Sequence, residues 1–247
     1  MCLGRVPTRE NYLAQVTEFE RALALDPDSP RAQGLLATAL ASRVLDDMTE
    51  SAGSDIAQAE VLADRALAAS PQVPLSHYAK AHVLRARRRF TDAIAEYETV
   101  LALDRNWVYA TAILGFCKLM TGSIEDAIPA QEQAIRLSPR DPGIWLFYFW
   151  TGLAHLLQSR VDEAIPWFER ARSANPEQPL PHAYLASSYG LRGEVPQAQA
   201  ELNQARKLSS DDRFANITRL KGIGFFGVPE LFEATYFTGL RKAGVPD

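Results

Sequence analysis

The side chains best suited to chemistry in this 247-residue sequence are four histidines, two cysteines and a few acidic pairs. Histidine can serve as a base or a metal ligand near neutral pH, and cysteine as a nucleophile. Their spacing argues against these uses. His77 and His82 stand five apart, which is poor for sharing a metal ion on one helix. His77 and His182 recur at one position of the repeat described below, which points to packing between helices. Glu125, Asp126, Asp162 and Glu163 fall at predicted helix starts, where negative charge suits the unpaired N–H groups. Cys117 falls inside a predicted helix as a small buried apolar residue, and Cys2 lies near the terminus. No disulfide framework is implied, and a reducing, cytoplasmic compartment is expected. No HExxH, CxxC, nucleophile elbow or glycine-rich phosphate loop is present. The expectation is a protein that is not an enzyme, with no cofactor and no metal.

The chain offers apolar surface instead. Hydrophobic residues make up 47% of it, enough for a continuous core. Lys plus Arg is 26 and Asp plus Glu is 30, a near balance that argues against a nucleic-acid binder. The cluster of Arg85, Arg87, Arg88 and Arg89 reads as the solvated end of a helix. Gly143–Leu157 is the most apolar run, but Thr151 and His155 interrupt it and it is too short to span a bilayer. The N-terminus has no basic patch followed by an apolar stretch, so no signal peptide is expected.

The elements that must position these residues show in five alanines: Ala59, Ala93, Ala127, Ala164 and Ala198, spaced 34, 34, 37 and 34 residues apart. Such a period is one helix, a turn and a second antiparallel helix, and neighbouring units must stack to bury their apolar stripes. The clearest unit is Trp145–Gln178, with Gly152 and Ala164 where the helices approach, Phe168 and Ala171 in the core, and Pro176 closing it. Val108–Asp141 repeats the plan with Gly115, Ala127, Ala134 and Pro139. Pro129 and Pro166 occupy matching places, read as near the starts of their second helices. Pro74–Trp107 and Pro179–Asp212 are further units, the latter with Ser210 in place of the closing proline. Arg31–Gln72 is longer, its extra length assigned to a loop at Thr49–Asp55. The segment FERALALDP reads as a second helix without its first. The 37-residue spacing places an insertion near Arg140–Ile144. Arg213–Lys221 reads as a short helix broken by Gly222, Gly224 and Gly227. Pro229 then opens a helix with a stripe of Leu231, Phe232, Thr235, Tyr236 and Leu240. Residues 10–212 are expected to be the repeat array, and 213–247 a helical cap or tail.

The pattern resembles the tetratricopeptide repeat family, most closely through Tyr148, Gly152, Ala164, Phe168, Ala171 and Pro176. The resemblance implies an all-α, right-handed superhelical solenoid of antiparallel helix pairs, here with a C-terminal capping helix. Gln131 stands where the family has an aromatic residue, and Arg105 where it has proline. A narrower resemblance, in LSPRDPGIWLFYFWTGLAHLLQSRVDEAIPWFERA and TYFTGLRKAGVPD, is to the repeat regions that follow bacterial class III adenylate cyclase domains and some winged-helix regulator domains. It implies a regulatory region serving a signalling domain; no cyclase domain fits within this chain.

In such a solenoid the first helices line the concave face, and the family uses that face to bind peptides. The positions that fall there are Tyr78, His82 and Arg85; Tyr109, Phe116 and Leu119; Leu146, Phe149, Leu153 and Leu156; and Leu180 and Ser187. Leu75, Ala112, Ala183 and Leu191 extend the same rows. Only His82 and Arg85 bring charge, so a clamp for a terminal carboxylate is disfavoured. Two readings stay open: an apolar peptide or amphipathic helix enters the groove, or the chain's own tail or a second copy fills it.

Overall fold

The computed structural model describes residues 8–209, 211–223 and 226–247. Cys2, Ser210 and Gly224, singled out above, lie outside the described residues. Every regular element among the described residues is helical, and the helices stack in pairs as a solenoid. The chain forms two compact units, Met1–Cys117 and Lys118–Asp247.

The first unit holds α1 (Arg9–Leu25), α2 (Pro30–Leu45), α3 (Ala52–Ala69), α4 (Pro74–Ala86) and α5 (Phe90–Leu103). Helix α6 (Val108–Met120) begins there and ends in the second unit. The Thr8 and Ser29 hydroxyls cap α1 and α2, and proline opens α2 and α4, where its missing N–H leaves nothing unpaired. Helices α2 and α3 pair, as do α4 and α5, and α1 packs on α2. Leu36, Leu40, Ile56, Leu62 and Val83 fill the core, with Ala37, Ala59, Ala63 and Ala79 where backbones come close.

The loop expected at Thr49–Asp55 is shorter than the sequence suggests. Helix α3 already begins at Ala52, so Asp55 stands in its first turn. Arg43 of α2 explains the difference. Its Nε donates to Asp55 Oδ2 at 2.7 Å and its Nη2 to Oδ1 at 2.5 Å. The Asp55 side chain is only 4% exposed. Burial pushes its pKa up, but the hydrogen bonds from Arg43, Thr49 and Ser51 and the Arg43 charge outweigh burial and hold the carboxyl below its usual value. The ion pair therefore stabilises the fold above the unfolded carboxyl pKa near 3.8, and that stability is lost as pH falls through the lower folded value. Asp55→Asn is expected to cost about 2 kcal/mol at pH 7. In denaturant titrations its deficit relative to wild type should shrink toward pH 3. A deficit that does not change with pH would rule out the ionised carboxylate as the cause.

The repeat is visible in the backbone as well as in the side chains. Arg88, Gly122, Ser159 and Gly193 all have positive φ, each where a first helix turns into its second. That left-handed residue closes the helix end; glycine takes it freely at Gly122 and Gly193.

The second unit holds α7 (Ile124–Leu137), α8 (Ile144–Leu157), α9 (Val161–Ala174), α10 (Pro179–Arg192) and α11 (Val195–Leu208). Pro129 and Pro166 each stand at the sixth residue of α7 and α9. That is deeper than the early-turn placement expected, so each removes one hydrogen bond from its helix ladder. The insertion divides between a longer linker, in which Asp141 accepts from Gly143 N at 2.8 Å, and an extra residue in α8.

In the tail, α12 is Ile217–Ile223. It starts four residues later than expected and runs through Gly222. Arg206 holds the approach to it by donating twice to Phe214 O, at 3.1 and 3.3 Å. Then α13 (Pro229–Phe232), a π-helical turn (Glu233–Phe237) and α14 (Thr238–Lys242) run on without a break. The wide turn is held by Thr238 Oγ1 donating to Glu233 O at 2.7 Å. It shifts the register, so Phe237 is buried beside Phe232, Thr235, Tyr236 and Leu240, while Leu231 is only half-buried.

Candidate binding faces

In the first unit, Tyr78 and His82 of α4 are buried, and Arg85, Tyr109 and Phe116 are half-buried. Tyr78 lies between two rings, 4.3 Å from His82 and stacked 4.8 Å from Trp107. His82 Nδ1 meets the Tyr97 hydroxyl at 2.9 Å. Burial, helped by the Arg85 charge, depresses the His82 pKa well below its ordinary value. Burial likewise raises the Tyr97 pKa well above normal and pushes the Cys117 thiol up to about 12, which removes it as a nucleophile at physiological pH. The Arg85 guanidinium lies 6.0 Å from the Phe116 ring. A cavity of about 440 Å³ opens at the starts of α2 and α4, lined by Leu35, Val73, Leu75 and Trp107 among others, with Arg31 at its rim.

In the second unit, Leu119, Phe149, Leu153, Leu156 and Ser187 are buried, and Leu146 and Leu180 are half-buried. The C-terminal helix lies against α8 and α10, the first helices of their pairs. Tyr236 stacks on Tyr184 at 4.0 Å, and Tyr184 meets Phe149 edge-on at 4.9 Å. Ser187 Oγ donates to Tyr236 O at 2.8 Å. Backbones touch where the helices cross. A Cβ on Gly190 would come within 2.3 Å of Gly239 O, and one on Gly239 within 2.2 Å of Ser187 O. Earlier in the tail, a Cβ on Gly227 would come within 2.3 Å of Met120 O. Sequence reasoning missed Tyr184, Gly190 and Gly239 here, and Trp107 in the first unit. The available signal was small residues three apart, Ser187 and Gly190, on one side of α10.

The remaining polar candidates have structural surroundings. His77 Nδ1 lies 2.7 Å from Glu96 Oε2 and its Nε2 is 2.9 Å from Pro71 O. His182 repeats this with Glu201 at 2.6 Å and Pro176 O at 3.3 Å. Each ring ties a first helix to its second helix and to the preceding linker. Among the described residues no group of three or more His, Cys, Asp or Glu is placed to hold a metal ion. No described helix is long and apolar enough to cross a membrane.

Residues 49–107, 78–142 and 118–179 each match the family described as tetratricopeptide repeat, and together they cover more than half of the chain. The chain belongs to the tetratricopeptide repeat family. Solved tetratricopeptide-like structures agree in fold. PilW, a type IV pilus biogenesis factor, superposes with a TM-score of 0.63 at 18% identity, covering 81% of this chain and 89% of that one. Pseudomonas aeruginosa pilF gives 0.61 at 19% identity over 86% and 88%. YrrB, described as a TPR protein with an unusual peptide-binding site, gives 0.55 at 17% over 78% and 93%. The cell division cycle protein 27 homolog of Caenorhabditis elegans is 29% identical over 107 residues, which is 43% of this chain and 13% of that protein. Proteins of this family generally mediate protein–protein interaction, and their fold is typically a noncatalytic scaffold.

Tetratricopeptide register sharpens the contrast between the faces. The place of Ser187 in α10 is taken by His82 in α4, Phe116 in α6 and Leu153 in α8. The place of Gly190 is taken by Arg85, Leu119 and Leu156. Of these four first helices, only α10 is small enough at both places to let another helix touch its backbone.

Proposed function

We propose that this chain is a noncatalytic scaffold that binds a protein segment with apolar side chains on its first-helix faces. The observation that carries this is the seat of the C-terminal helix on α8 and α10. There a first-helix face already holds an amphipathic helix through a ring stack, a hydrogen bond to a backbone carbonyl and a glycine contact. On this reading, residues 10–212 are the binding array and 213–247 its cap. The same seat favours the second reading for the second unit, in which the chain fills its own groove. An external segment is assigned to the first unit, over the half-buried Arg85, Tyr109 and Phe116. The peptide-binding site named for YrrB is a precedent on this fold. The resemblance to repeat regions of bacterial cyclases and winged-helix regulators extends the proposal: occupancy is passed to a signalling domain in the cytoplasm.

The test is selection of a randomised 12-residue peptide library on the intact chain, followed by hydrogen exchange with each selected peptide bound. Protection over α4 and α6 is expected. Selection of no peptide, or protection confined to the second helices, would refute the proposal.

A further inference from the structure

We infer that the first-helix face of the first unit reads a carboxylate beside an apolar anchor, so its partner is an acidic amphipathic segment; this rests on the binding role proposed above. Arg85 stands in the last turn of α4, half-buried against Phe116. Its Nε is shut off from solvent with no hydrogen-bond acceptor. Its charge acts on the buried Tyr97 hydroxyl, which engages His82. Its neighbours Arg87 and Arg89 pair with Glu60 at 2.5 Å and Asp92 at 2.7 Å. Among the described residues no carboxylate lies within 4.0 Å of Arg85. Across the cluster, Asp46 is engaged by the Tyr12 hydroxyl.

A partly desolvated cation without a counter-ion is costly, and packing alone does not call for it: leucine holds the equivalent place in α6 and α8. A carboxylate arriving from a partner would supply charge-assisted hydrogen bonds in a setting that water screens poorly. The apolar anchor has its own place. Tyr78, on the same side of α4, stacks on Trp107, which lines the 440 Å³ cavity with Leu35 and Leu75. Leu75 and Arg85 are ten residues apart, about 15 Å along the helix. An extended peptide crosses that distance in about four or five residues. Arg31 at the cavity rim adds a second positive charge that suits an acidic partner.

The 12-residue library selected on the intact chain should return Asp or Glu about four or five positions from Leu, Ile or Phe. A selected peptide made with Glu→Gln should bind wild-type protein at least tenfold more weakly, a comparison that needs no protein variant. Arg85→Gln and Arg85→Met, checked for folding by thermal melting, should bind the Glu and Gln peptides equally. Apolar peptides that protect α4 and α6 with no acid preference would overturn the carboxylate inference and leave the scaffold proposal standing. Failure of any peptide to bind this face would overturn both.

Discussion

Gly239→Leu is expected to lift the C-terminal helix off the second unit. At the crossing, backbone faces backbone: a Cβ on Gly239 would stand 2.2 Å from Ser187 O and 2.3 Å from Ser187 Oγ. A main-chain carbonyl within a helix cannot swing away as a flexible side chain can, so the helices must separate. Overpacking alone costs about 1 to 3 kcal/mol. Separation also forfeits the Ser187–Tyr236 hydrogen bond, about 1 kcal/mol, and the Tyr184–Tyr236 stack, about 0.5 to 1.5 kcal/mol. These losses act together on one contact, so undocking is expected rather than small adjustment. It uncovers Phe232, Tyr236, Phe237 and Leu240 along with the face beneath them. Hydrogen exchange should show residues 229–245 losing protection, and light scattering should show concentration-dependent association of the bared surfaces. Gly222→Ala is the control, because nothing lies within 4 Å of its added Cβ. If Gly239→Leu melts like wild type with the tail still protected, the glycine contact does not hold the tail.

The fold was legible because stacking demands the same small residue at the same place in every unit. Ala59, Ala93, Ala127, Ala164 and Ala198 are all fully buried, one in the second helix of each pair. Local composition misled where a tertiary contact overrode it. Alanine, glycine and serine after Ser51 read as loop, but the Arg43–Asp55 pair extends the helix into them. Phe237 was missed for a different reason: a π-helical turn departs from the period of 3.6 on which any stripe is counted. The rows of the candidate face could be placed by register, yet register cannot say which rows are open. Ser187 is buried because a segment about fifty residues later lies on it, and that segment does not obey the repeat. Arg85 was placed both in the groove rows and in a solvated arginine run, and nothing in the ARRRF that follows it shows that its guanidinium is half-buried against Phe116.

Gly152 of α8 packs against the Phe168 ring of α9, and their substitutions should be strongly coupled. A Cβ on Gly152 would lie 2.8 Å from two carbons of the Phe168 ring. That ring is fully buried, with Phe149 at 5.7 Å and Tyr184 at 5.4 Å, so it has nowhere to go. Phe168→Ala should cost about 3 to 5 kcal/mol through lost burial and a cavity. Gly152→Ala brings two opposed effects: up to about 1 kcal/mol gained from helix propensity, and about 1 to 3 kcal/mol lost to overpacking. In the wild-type background the clash should win. With Phe168→Leu the planar ring is gone and a branched chain can turn aside, so the same Gly152→Ala change should become neutral or stabilising. A double-mutant cycle by denaturant unfolding should therefore give a coupling of about 2 kcal/mol, with a change of sign for the alanine. Additive behaviour would mean that the glycine is not there for the ring, and the explanation for Gly152 would have to move to the flexibility of the helix itself.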